Sequence, residues 1–180
     1  MTLLFLAGCA GTPKVAGPPP PPPDPRTQMA ALESRIAMLV EEERGRIDAH
    51  ARPLAIDPEL TAIARRRAVD MAAKNYLAHA SPNGETAAGI LMDEDKRFQG
   101  LLGENMGAVH YWKQYGLDVD KAARSFVDQW LASPKHRDNL VFADYNLAGI
   151  GAAVNADTVY VTALFATDLG LGPHEDPKAP

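Results

Sequence analysis

Trp130-Leu131-Ala132-Ser133-Pro134-Lys135-His136-Arg137-Asp138-Asn139-Leu140 is the stretch on which the reading of this chain turns. Before it, Asp120 is placed to cap a helix, and Ala123, Phe126, Val127 and Trp130 fall on one face. Pro134 lacks an amide donor and is expected to stop that helix, so His136 arrives just after a helix end. Two other segments offer partners. Gly103-Glu104-Asn105 carries a carboxylate in a short apolar run over 101–106, a strand start or extended loop. His79 opens the loop His79-Ala80-Ser81-Pro82-Asn83-Gly84. Imidazole titrates near neutral pH and binds borderline metals, and a carboxylate orients it or completes a metal shell. Spacing alone leaves two alternatives open: one shared polar site, or two surface histidines and a glutamate that closes its own loop.

The surrounding pattern supplies the frame. Leu32, Ile36, Leu39 and Val40 recur at helical spacing, with Thr27 as cap and Gly45 and Pro53 as limits. A second helix is signalled by Asp57, Pro58 and Glu59 at its start and a stripe of Leu60, Ile63, Ala64, Ala68 and Met71, ending near Asn75. Arg65-Arg66-Arg67 reads as its solvated face. A short helix is expected over 85–95. Residues 147–154 and 159–166 are strand-like, and the turn-prone Asn155-Ala156-Asp157 makes them an antiparallel hairpin. Helices first and strands last predict an α+β fold.

With 46% hydrophobic residues in 180, the chain can build one domain with a real core plus appendages. The net charge of −5 and the lack of a basic run with interleaved aromatics argue against a nucleic-acid partner. The single cysteine, Cys9, cannot form an internal disulfide. It follows Leu6-Ala7-Gly8, and the segment resembles the lipobox of bacterial lipoproteins, in which the thiol is acylated. No basic residue precedes it, as a signal peptide would require. Residues 10–26 hold a proline run over 18–23, a polyproline spacer or a docking site for a partner that binds such helices. The domain plan is thus 1–9 signal and lipobox, 10–26 tether, 27–169 folded domain and 170–180 disordered tail.

Five pieces in order carry a family resemblance: Leu54-Ala55-Ile56-Asp57-Pro58-Glu59-Leu60, His79 to Gly84, Gly103-Glu104-Asn105-Met106, Trp130 to Leu140, and Ala148-Gly149-Ile150-Gly151. Together they resemble the CAP superfamily of cysteine-rich secretory, antigen 5 and pathogenesis-related proteins, in its bacterial disulfide-free branch. The resemblance implies an α-β-α sandwich with a central antiparallel sheet and a cleft lined by two histidines and two acids. His79 and His136 match the histidines and Glu104 one acid. Ser133 stands where many members carry the second acid, and Glu41 stands where an asparagine is expected before Arg44. Asn105, Ser133 and Asn139 either line the cleft or brace its loops, bracing being preferred. Tyr111, Trp112 and Tyr115 form an aromatic loop that packs over the core or binds a ligand or membrane.

Two functions are weighed. The first is a noncatalytic binding module for a small apolar ligand, glycan or peptide. It would be a monomer, anchored through acylated Cys9 in the cell envelope and facing the periplasm or exterior. No Gly-x-Ser-x-Gly motif and no catalytic cysteine is present, so no catalytic residue is assigned. The second is a metal-assisted hydrolase in which His79 and His136 hold zinc and Glu104 acts as base or orienter.

Overall fold

The computed structural model describes residues 20–167. The lipobox with Cys9, residues 10–19 of the tether and the 170–180 tail lie outside them. The tether gives way to helix earlier than residue 27. Pro25–Gln28 form a 3-10 turn because the Asp24 carboxylate accepts from Arg26 N at 2.9 Å and a first-turn proline needs no donor. Thr27 is consequently not a helix cap; its hydroxyl donates to Asp24 O at 2.7 Å.

Five α-helices and four strands follow among the described residues: α1 Met29–Ile47, β1 Ala55–Ile56, α2 Pro58–Lys74, α3 Ala87–Glu94, β2 Leu102–His110, α4 Val119–Ala132, α5 Pro134–Leu140, β3 Leu147–Asn155 and β4 Thr158–Ala166. The α2 boundaries match their signals: Asp57 Oδ1 accepts from Leu60 N at 2.8 Å, and Asn75 closes the helix in the left-handed region at φ 53°. Two expectations are corrected. Asp118, not Asp120, caps α4, accepting from Lys121 N at 3.1 Å. Pro134 does not merely stop a helix; it opens α5, so His136 sits inside a short helix.

The sheet order is β1-β3-β4-β2. β2, β3 and β4 are antiparallel, and only the two-residue β1 runs parallel, against β3. Alternation along β4 explains the layers. Val159, Val161, Ala163 and Phe165 join the core with α1 and α4, whereas Tyr160, Leu164 and Ala166 pack toward α2 and α3. The result is the expected α+β sandwich. Gly149 and Gly151 let α2 lie directly on β3: a Cβ at either would fall within 2.2 Å of α2 backbone carbon.

Two arginines hold this frame from inside. Arg44 donates to the carbonyls of Leu140, Phe142, Arg52 and Tyr145 at 2.7 to 3.0 Å, clasping the chain that leaves α5. Arg67 corrects the reading of the arginine triplet as a solvated face, because it is fully buried. Its neighbours are also engaged. Arg65 pairs with Glu33 and Arg66 with Glu85.

Candidate functional site

The site forms at the free edge of β2. This strand is outermost in the sheet, and its pleat sends adjacent side chains to opposite layers. Glu104 faces the α2 layer and Asn105 the α5 layer, so one dipeptide organises both flanks of the edge.

On the α2 side, Glu104 Oε2 meets His79 Nδ1 at 2.7 Å. His79 is placed there by Arg67, whose guanidinium donates to Ala78 O at 2.9 Å, His79 O at 3.2 Å and Tyr76 Oη at 3.0 Å. Tyr76 in turn donates to Asp70 at 2.5 Å. Ser81 then folds the loop back, its Oγ accepting from Glu85 N at 3.0 Å. Arg67 Nε stands 3.9 Å from Glu104 Oε1, an ion pair without a hydrogen bond, and both of those buried atoms lack a hydrogen-bond partner. Burial pushes the Glu104 carboxyl up from its ordinary range, opposed by the His79 hydrogen bond and the His79 and Arg67 charges.

On the α5 side, buried Asn105 donates to His136 O at 2.9 Å and accepts from Asn139 Nδ2 at 3.0 Å. Tyr145 Oη donates to Asn139 Oδ1 at 3.1 Å. Gly103 makes room for this chain: a Cβ there would lie 2.0 Å from Asn139 Oδ1. The Gly-Glu-Asn sequence therefore has three separable roles, which are space for Asn139, charge for His79 and support for α5. Burial lowers the His136 pKa first and the His79 charge lowers it further.

His79 and Glu104 thus touch directly, and His136 is tied to the same strand through its backbone carbonyl, which accepts from Asn105 Nδ2 at 2.9 Å. Asn105 and Asn139 link β2 to α5 through the side-chain hydrogen bonds above. Ser133 precedes Pro134 as the α5 N-cap and makes no side-chain cap hydrogen bond. Trp130 is core, 1% exposed, with Nε1 donating to Met106 O at 2.9 Å. Of the aromatic loop, only Tyr111 packs on the core; Trp112 and Tyr115 are 75% and 78% exposed, correcting the packing expectation for both. Arg67 and Arg44 were missed as site-building residues. Their signal was phase, since Arg67 continues the Ile63, Ala64, Met71 stripe and Arg44 the Ile36, Val40 stripe.

The arrangement does not fit a zinc centre. Glu104 could orient His79 from behind, as carboxylates do for metal-binding imidazoles. Only two imidazoles would then be donors, where an open catalytic zinc site uses three protein ligands. Among the described residues no three His, Cys, Asp or Glu side chains are grouped to hold a metal. Arg67 already supplies a positive charge beside the carboxylate.

The model of the cysteine-rich secretory protein family, CAP, matches residues 42–166. No curated protein sequence matches the chain. Among solved structures, an extracellular protein containing a SCP domain from Bacillus anthracis is 28% identical with a TM-score of 0.62, over 85% of this chain and 45% of that one. This chain therefore spans less than half of that protein's length. An outer surface protein from Borrelia burgdorferi shares the fold at 22% identity and a TM-score of 0.58, over 80% of this chain and 95% of that one. NaASP2, in a structure with Zn2+, does so at 15% and 0.55, over 80% and 83%.

Proposed function

This chain belongs to the cysteine-rich secretory protein family, CAP, and on that premise we propose that it is a noncatalytic binding module of the cell envelope. The observation that carries the reading is the His79–Glu104–Arg67 cluster. Its carboxylate is desolvated and set between an imidazole and a fixed guanidinium. Such a group presents a shaped polar edge whose carboxylate is already engaged by His79 and Arg67. A small apolar ligand has a suitable place elsewhere on the domain. A groove of about 320 Å³ between α1, β1 and β3 is lined by Met38, Val40, Leu54, Ile56 and Ile150. Met38 and Ile56 are more than half exposed there. The extracellular and outer-surface relatives support a location outside the cytoplasm. Among the described residues no helix is long and apolar enough to cross a membrane. The anchor would be acylated Cys9.

The test has two arms. A fluorescent fatty acid is titrated into the full chain and into Ile56→Asp. Saturable binding weakened by that substitution is expected; no saturation with the fatty acid, glycan or peptide pools sinks the binding role. Metabolic labelling with palmitate should mark the chain and fail with Cys9→Ser, which should also release the protein from membranes. Label retained in that variant rules out the anchor.

A further inference from the structure

The turn between β2 and α4 is an anomaly that the site does not use. Trp112 and Tyr115, 75% and 78% exposed, sit together on a tight turn closed by Tyr115 N to Trp112 O at 2.9 Å and Gly116 N to Trp112 O at 3.1 Å. Two large aromatic side chains exposed on one short turn mark a surface that something covers.

The same turn already receives the proline run. Gly116 has φ +74°, and a Cβ there would lie 2.5 Å from Pro22 Cβ, so the described end of the tether is seated directly on it. Gln28 Nε2 donates to Leu117 O at 3.2 Å and fixes the chain that follows. A cleft of about 520 Å³ lies between Pro22, Pro25, Tyr111, Gly116 and Asn155. Polyproline segments dock in aromatic-lined grooves because their extended helix is formed in advance and little ordering entropy is lost.

We infer that the 111–116 turn is the receptor for the chain's own proline-rich arm, with residues 10–19 docking over Trp112 and Tyr115 upstream of the Pro22 seat. Pro20 to Pro23 leave both aromatics exposed, so the occupant is the chain before them. Ten residues reach about 30 Å when extended, ample to cross one turn. Pro13, Pro18 and Pro19 supply the rings. Docking fixes where the arm leaves the domain, and hence how the domain is held relative to Cys9. The inference stands whether or not Cys9 is acylated.

Acrylamide quenching of the unacylated full chain tests it. Trp130 is buried, so the quenchable signal is that of Trp112, assigned with Trp112→Phe. Replacing Pro13, Pro18, Pro19, Pro20 and Pro21 with serine should abolish protection of Trp112. Equal quenching in both chains overturns the inference. So does a wild-type Trp112 that is freely quenched alone and shielded only by phosphatidylethanolamine–phosphatidylglycerol vesicles, since the surface would then serve a membrane. As a second readout, a nitroxide on Cys9 should gain mobility in Trp112→Ala/Tyr115→Ala, whose exposed side chains are not needed for folding. Unchanged spectra would also overturn it.

Discussion

Replacing Gly103 with alanine tests the architecture of the β2 edge most directly. The added methyl would lie 2.0 Å from Asn139 Oδ1, 2.8 Å from its Cγ and 2.5 Å from Tyr145 Oη, where real Cβ atoms keep beyond 3.0 Å. Asn139 must therefore retreat by about 1 Å or rotate away, and the packing strain costs about 1–3 kcal/mol. Its movement breaks the Tyr145–Asn139 and Asn139–Asn105 hydrogen bonds, each worth about 1 kcal/mol. The sum is about 3–5 kcal/mol, which lowers the melting temperature by about 10 °C in a domain of this size. Circular dichroism melts would measure it. Gly103→Ala combined with Asn139→Ala should be less destabilising than the two single changes added together, because removal of the amide vacates the space. A Gly103→Ala melt within error of wild type, or strict additivity in the double variant, would refute the packing argument.

Other outcomes follow from the same geometry. Glu104 has a folded pKa above its ordinary 4.5, so the native state holds that proton more tightly. Its contribution is fully favourable below 4.5 and declines as pH rises through the folded value; Glu104→Gln should flatten that part of a urea-midpoint profile. His136 shows the opposite sign: its folded pKa lies below 6.5, so stability is lost as pH falls from 6.5 through the folded value. Proton NMR should find it titrating below 6.5 and only partly restored by His79→Gln, since burial is the larger cause. Arg67→Met should cost about 3–5 kcal/mol by stranding Glu104 and two carbonyls; a loss under about 1 kcal/mol in urea melts would contradict it. Zinc titrated into the full chain by calorimetry should give no one-to-one saturable heat, and a stoichiometric response would restore the hydrolase reading.

Much of the fold was legible because its elements announce themselves locally. The α2 signals Asp57, Pro58 and Asn75 all act within one turn of the helix they bound. The β3–β4 hairpin is likewise marked by its own turn, with Ala156 at φ 55°. α5 was not legible: Lys135-His136-Arg137-Asp138-Asn139 shows no apolar stripe, and Leu140 is its one buried residue. Choosing between Asp118 and Asp120 required the path of the chain into α4, which composition does not encode. In the site, the family motifs pointed to His79, Glu104 and His136, of which the first two meet. The pleat that splits Glu104 from Asn105 and the burial of Arg67 emerge only when β2 takes the sheet edge.

The reach of Arg44 has a consequence for how this domain comes into being. One guanidinium ties α1 to carbonyls 96, 98 and 101 positions along the chain, the work of a long-range cross-link. Residues 20–167 contain no cysteine, so this staple needs no oxidant and no isomerase. The domain can mature to the same shape in reducing or oxidising surroundings.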